Sequence, residues 1–220
     1  MDESAGPAQP QPDRRTRRKD AERNRSALIA AGSELFDAAG LLPTLDDVAR
    51  RAGVGVGTAY RHFPNKYALA QAVFAETVET MLEAAECAAK MEDAADGLAA
   101  FFEAVLEPQA NKRALGKLLR GTPTEDPGAG NVQARVKRCI DQLLQRGREQ
   151  RVIRADVATT DVGVLMSLMA HLIETFGDAN PRLWRRFLPI LLDGLRADAP
   201  TSLPEQPLNT SAFLSRLTAG

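Results

Sequence analysis

The 220-residue chain is short of the residues on which many enzymes and secreted scaffolds depend. Its two cysteines, Cys87 and Cys139, cannot build a disulfide framework. Neither sits in a CxxC pair, so both read as buried, apolar-like thiols in a reducing compartment. Its two histidines, His62 and His171, are too few for most zinc sites or a His-dependent triad, and His171 reads as an interior or interface residue. Only 8 Phe, 2 Tyr and 1 Trp are present, and no segment alternates with period two, so strands are not expected. The most apolar run, Val162 to Ile173, falls short of the ~18 residues a membrane-spanning helix needs and contains Ser167 and His171. A basic cluster near the front is followed by Asp20 and Glu22 rather than an apolar stretch, which is not a signal-peptide pattern. These absences point to a cytoplasmic protein with no membrane partner.

Catalytic signatures are missing too. GVGVGTAY, residues 53–60, lacks the third glycine of GxGxxG and follows a helical pattern instead of a strand. Gly116-Lys117 is followed by Leu118, so there is no phosphate-binding P-loop, and GxSxG, HExxH and EF-hand patterns do not occur. The Asp46-Asp47 pair opens a helix, where carboxylates favour the dipole, so capping explains it better than acid–base chemistry. No catalytic residue, metal site or cofactor is expected.

What the chain does have is helix-forming composition and an uneven charge distribution. Apolar residues make up 44% and charged residues 26%, with a net charge of −1. That near-zero total conceals a segment, 14–67, with eleven basic and six acidic residues, ahead of an acidic remainder. A basic front end suits a polyanion, although a solvated charged face has the same composition. Residues 1–13 are rich in Pro and Gln and read as a disordered tail. A first helix runs to Ala39 with Leu28, Ala31, Leu35 and Ala39 on one stripe and Gly40 as its stop. Thr44 opens a short helix with capping-box spacing to Asp47, and Asn65 caps a long helix from Lys66 to about Lys90. Further helices are expected at 96–107 (broken by Pro108), 112–120, 132–150, 160–176 and 182–197, with GTPTEDPGAG at 121–130 as a loop. The tail from Asp198 carries Pro200, Pro204 and Pro207, and SAFLSRL at 211–217 has room for a docked turn or two.

The informative stretch is 44–66, TLDDVARRAGVGVGTAYRHFPNK. Two short helices joined by a tight glycine turn, behind a basic first helix, make a helix-turn-helix. Ala49 allows a close crossing, Gly53 can take the left-handed conformation that ends the first of the pair, and Val54 fills the space beneath the turn. The helix from Val56 is then open on one side to a major groove, with Tyr60 and His62 on that side and Ala59 and Phe63 inward.

The surrounding sequence, ALIAAGSELFDAAGLLPTLDDVARRAGVGVGTAYRHFPNKYALAQAVF, resembles the DNA-binding domain of the tetracycline-repressor (TetR) family through its AGV turn, GTxYRHF core and following lysine. The resemblance implies that Thr44 binds a phosphate and that Val56, Gly57, Thr58 and Arg61 lie toward the bases or groove wall. It further implies that Tyr60 and His62 hydrogen-bond phosphates while Lys66 neutralises one. Arg61 is the candidate base reader, because its fork can grip guanine for ~1–3 kcal/mol of discrimination. GVGVG departs from the usual family pattern and leaves few side chains for reading, so the RRTRRK segment at 14–19 is expected to reach phosphates or the minor groove.

VGVLMSLMAHLIETF and LWRRFLPILLDGL are apolar nearly all round, which predicts burial on every side. A second subunit satisfies that through Leu165, Leu168, Leu172, Trp184, Phe187, Leu191 and Leu195, and a monomeric bundle is the competing arrangement. The resemblance also implies a ligand cavity lined by Phe74, Val78, Met81, Phe101, Phe102, Val105, Ile140, Leu144, Met166 and Met169, although an ordinary core is the simpler use of any one of them. The expectation is an all-α chain of about nine helices. A helix-turn-helix domain at 14–67 precedes a ligand-binding and dimerisation domain at 68–197 and a Pro-containing tail at 198–220. It reads as a regulator, most simply a repressor, with double-stranded operator DNA, a second copy of itself and a small-molecule effector as partners. The alternative is a helix-turn-helix activator or architectural factor without an effector.

Overall fold

A computed structural model describes residues 14–121, 127–198 and 201–217. Ten helices occur among them: α1 Arg14–Ala39, α2 Leu45–Ala52, α3 Val56–His62, α4 Lys66–Ala88, α5 Ala94–Asn111, α6 Arg113–Gly121, α7 Pro127–Glu149, α8 Thr159–Phe176, α9 Trp184–Gly194 and α10 Thr210–Leu217. The described residues hold no strand, only an isolated antiparallel bridge between Ile153 and Arg196 that clasps the turn after α7 to the end of α9. The expected tail at 1–13 and residues 122–126 of the expected 121–130 loop lie outside the described residues, and α7 already begins at Pro127.

Apolar side chains at helical spacing gather into two cores. The first holds Leu28 and Phe36 of α1, Leu45 and Val48 of α2, Ala59 of α3, Leu69 and Phe74 of α4, and Leu115 and Leu118 of α6. On α1 the buried stripe runs through Leu28, Ala31 and Phe36, and Ala39, expected on it, is exposed. The second core is built around α5, which packs against α4, α7, α8 and α9. Its largest buried members include Phe101, Phe102, Leu98, Leu143 and Trp184, each worth roughly 1.5–3 kcal/mol on burial.

Several expectations are corrected here. Pro108 does not end α5, which continues to Asn111. A proline removes one backbone donor, but burial of Val105, Leu106 and Gln109 on either side outweighs that loss, and the Gln109 amide Nε2 donates to the Val105 carbonyl at 2.8 Å. Cys139 is buried, and burial pushes its thiol up, whereas Cys87 lies on the exposed side of α4. His171 also faces solvent, its Nε2 3.4 Å from the Thr175 hydroxyl. The chain ahead of α10 turns back, so that the Phe213 ring sits over Gly163 of α8, where an added Cβ would lie 2.5 Å from the ring.

A close approach that involves backbone lies at Gly97 of α5. A Cβ there would lie 2.7 Å from Leu143 Cδ2 and 2.8 Å from the backbone oxygen of Ala88. A backbone oxygen cannot swing aside as a side-chain tip can. Gly97→Ala is therefore expected to lower unfolding free energy by about 1–3 kcal/mol in urea titrations, despite alanine's better helix propensity.

Candidate nucleic-acid interface

The frame of the helix-turn-helix is set by local hydrogen bonds. Thr44, in extended conformation, accepts the Asp47 N–H on its hydroxyl oxygen at 3.2 Å. Asp47 Oδ2 in turn accepts the Thr44 N–H at 3.0 Å and its hydroxyl at 2.6 Å, completing the capping box. The Thr44 side-chain bond is the main reason the Asp47 carboxyl stays below its ordinary value. At the other end of α2, Gly53 adopts φ 66° and ψ 26°, and the Val54 N–H donates back to the Ala49 carbonyl at 3.0 Å. The turn is thus made by the one residue type without a steric penalty there.

α3 is held from behind by Ala59 and by Phe63 just past its end, both buried in the first core. The Arg25 guanidinium of α1 stacks over the Phe63 ring at 4.9 Å to the centroid, a contact for which the sequence offers no local signal. On the outward side Val56, Gly57, Tyr60 and Arg61 are exposed, and Thr58 and His62 are half-buried. Arg61 folds back on its own helix, Nε donating to the Gly57 carbonyl at 3.1 Å and Nη2 to the Thr58 hydroxyl at 3.4 Å. A hydrogen bond with the Asp46 carboxylate, and that charge itself, push the Tyr60 phenol up. Thr44 is exposed at the same surface.

Lys66 differs from the rest. Its Nζ donates to the Leu41 carbonyl at 2.9 Å and lies 5.7 Å from the Tyr67 ring centroid, so it is half-buried and braces the loop after α1. Arg18 and Lys19, within the RRTRRK segment, are exposed on the opening turns of α1, and Arg18 pairs with Glu22 at 3.6 Å. That segment is therefore helical from Arg14 onward rather than an extended arm.

The body contains a cavity of about 500 Å³ bounded by α4 to α8 and α10. Of the ten residues expected to line it, Met81, Val105, Ile140 and Met166 do. Phe101, Phe102, Leu144 and Met169 fill the second core, Val78 packs between the two cores, and Phe74 stacks on Phe36 in the first, with ring centroids 6.4 Å apart. The lining also includes Gln109, Lys137, Thr159, Thr160 and Phe213, which apolar periodicity does not single out. Among the residues expected at a subunit interface, Trp184 is 1% exposed and Leu195 is buried, both within the chain's own core. Leu165, Leu172 and Leu191 are half-buried against that core, while Leu168 and Phe187 are open. Phe176 and Ile190, not singled out from the sequence, are exposed beside them.

An α-helical head with this turn, mounted on a helical body, defines a helix-turn-helix transcription regulator. Residues 28–73 match the family described as bacterial regulatory proteins, tetR family, and residues 93–197 match the transcriptional regulator SbtR-like C-terminal domain. An HTH-type transcriptional regulator of Staphylococcus aureus is 38% identical over 69 residues, covering 30% of this chain and 36% of that protein, so the match spans about a third of the relative's length. A TetR transcriptional regulator from Streptomyces coelicolor is 27% identical, with 80% of this chain and 99% of that one covered and a TM-score of 0.49. The fatty acid degradation regulator FadR from Bacillus halodurans, 16% identical, shares the fold with a TM-score of 0.59 over 81% of this chain and 97% of that one. The chain belongs to the TetR family and is a DNA-binding transcriptional regulator, not an enzyme. Among the described residues no helix is long and apolar enough to cross a membrane.

Thr44→Ala removes one half of the capping box and is expected to lower stability by about 1 kcal/mol, read by thermal or chemical unfolding. The same variant tests the linkage. Asp47 is held below its ordinary value in the fold, so the stability it contributes is present above pH 3.8 and is lost as pH falls through its lower folded value. Acid titration of Thr44→Ala should show a smaller loss in that range than the parent.

Proposed function

We propose that this regulator is a repressor that holds a palindromic operator as a homodimer and is released by a small molecule bound in the body. The observation that carries the reading is α3, with Ala59 buried in the head while Val56, Gly57, Tyr60 and Arg61 face outward. Set in a major groove, Val56 and Thr58 would meet thymine methyls, and Arg61 would swap its contacts with Gly57 and Thr58 for guanine acceptors. Thr44, Tyr60 and His62 are the phosphate contacts, and the N-terminal half of α1 adds exposed positive charge. Lys66 contributes by bracing the head through Leu41, with its charge close to the DNA-facing side. The head corresponds to 14–67 and the body to 68–197, joined through the continuous α4.

The dimer is proposed to form through α8 and α9. Leu168, His171, Thr175 and Phe176 are exposed at helical spacing on α8, and Phe187 and Ile190 are exposed on α9, with Leu168 at 59% and Ile190 at 63%. A two-fold dimer sets two reading helices ~34–36 Å apart, one turn of the duplex. The cavity favours an effector over a factor that senses nothing, since it is of the size that encloses a small ligand.

Selection from a random DNA pool by the purified protein should enrich a palindrome. Arg61→Ala should weaken binding to it by about 1–3 kcal/mol and relax one position of each half-site, and rising salt should weaken binding throughout. Salt-sensitive binding with no enriched sequence would overturn the operator reading. Ile190→Glu combined with Leu168→Glu should shift sedimentation from dimer to monomer, because both charges would be buried at the contact. A dimer that persists unchanged in this variant would place the interface elsewhere.

A further inference from the structure

The lining of the body cavity is more specific than its size. Two polar residues of its lining are more than nine-tenths buried: Thr160 of α8, 7% exposed, and Gln109 of α5, 5% exposed. Gln109 is anchored, its Nε2 donating to the Val105 carbonyl at 2.8 Å. Thr160 is not, for its hydroxyl oxygen is buried with no hydrogen-bond partner. A buried hydroxyl without a partner is costly, and a turn about χ1, which exchanges Oγ1 with Cγ2, would present it to a polar group on a bound molecule.

Among the described residues the cavity offers an ionic ligand no unmatched charge. Lys137 is the one charged residue among the described residues of the lining, and its Nζ lies 2.6 Å from Asp141 Oδ2. The other oxygen of that carboxylate accepts the Thr159 hydroxyl at 2.5 Å, so the cation is already matched and its partner is held in place. A carboxylate or phosphate entering here would shed its water without gaining an unmatched positive charge. Most of the remaining wall is apolar, including Met81, Val105, Met166 and the Phe213 ring of α10, with Gln133, Ser167 and Thr210 as its other polar members.

We infer that the cavity takes a neutral, largely apolar molecule carrying a single hydroxyl or carbonyl group, oriented by a hydrogen bond to Thr160 Oγ1. This rests on the effector reading above for its consequence at the DNA, but not for the binding itself. Thr160 acts here as the specificity-determining residue, since the apolar stretches of the wall are indifferent to where along a chain the polar group lies. Replacing it by valine keeps the shape, removes the orphaned oxygen and abolishes the discrimination.

The test uses the full chain and three matched series, the straight-chain primary alcohols from hexanol to dodecanol with the corresponding carboxylates and alkanes. Binding is read by calorimetry and by the shift in melting temperature at pH 8. The proposal expects the best alcohol to bind at least tenfold tighter than the carboxylate of equal length. Thr160→Val should bind that alcohol about tenfold more weakly, the loss of one good hydrogen bond, with its affinity for the alkane unchanged. Thr160→Ser should retain the preference. Unliganded Thr160→Val should melt at or above the parent temperature, which separates a lost contact from a damaged fold. A carboxylate that binds as tightly as its alcohol, an alcohol affinity unchanged in Thr160→Val, or no alcohol binding at any chain length would each overturn the proposal. An alcohol that binds as expected but leaves operator affinity unaltered supports the ligand class and overturns the effector reading alone.

Discussion

Helix α4 is buried in two cores at once, and the rest of the molecule is arranged around that constraint. Leu69, Ala70 and Phe74 at its front belong to the core of the head, and Met81, Leu82 and Ala85 further along belong to the core of the body. At 1.5 Å per residue its 23 residues reach about 35 Å, so it links head and body as one rigid element. Close-packed interiors do not deform gradually, and a rotation of α4 in one core must be answered in the other. Arg135 of α7 reinforces the link by gripping Glu79 at 2.8 Å and Glu86 at 2.7 Å, two turns apart on α4. Its guanidinium holds the Glu86 carboxyl below the ordinary range.

A second connection runs through α6. Leu115 and Leu118 are in the head's core, whereas Leu119 touches both cores and lines the cavity. A molecule in the cavity would therefore lie against Met81 of α4 and Leu119 of α6, the two helices that reach the head. Changing DNA occupancy strongly needs several kcal/mol of differential affinity between two arrangements. Contacts on both connecting helices are where such a difference would arise.

The head itself combines a rigid frame with a sparse reading surface. The capping box, the left-handed Gly53, the Arg25–Phe63 stack and the Lys66–Leu41 bond fix where α3 sits. α3 then offers few long side chains, because Gly57 and the buried Ala59 occupy positions that could carry them. Under the proposed function, discrimination between sequences would fall on Arg61, Thr58 and Val56, while Thr44, Tyr60 and His62 would serve register. The Asp46 carboxylate beside Tyr60 tempers the positive surface at that point.

The features that were legible in the sequence are those whose partners lie within a few residues. Thr44 and Asp47 are three apart, Gly53 closes the helix directly before it, and Asn65 caps the N–H of Ala68 at 2.9 Å. Helical spacing likewise marked the apolar faces, and the motif from Thr44 to Lys66 was sufficient to locate α3 and its exposed residues. Long-range packing settled the remainder. Pro108 stays inside a helix because buried neighbours outweigh one missing donor, and Trp184 turns into the chain's own core because α9 packs on α5 there. Met81 lines a cavity while Phe101 fills a core, although both are apolar residues at helical spacing. Spacing along a chain determines which residues share a face. Only the distance between faces decides whether they enclose a space, and Thr160 gains its meaning from lying where that space is.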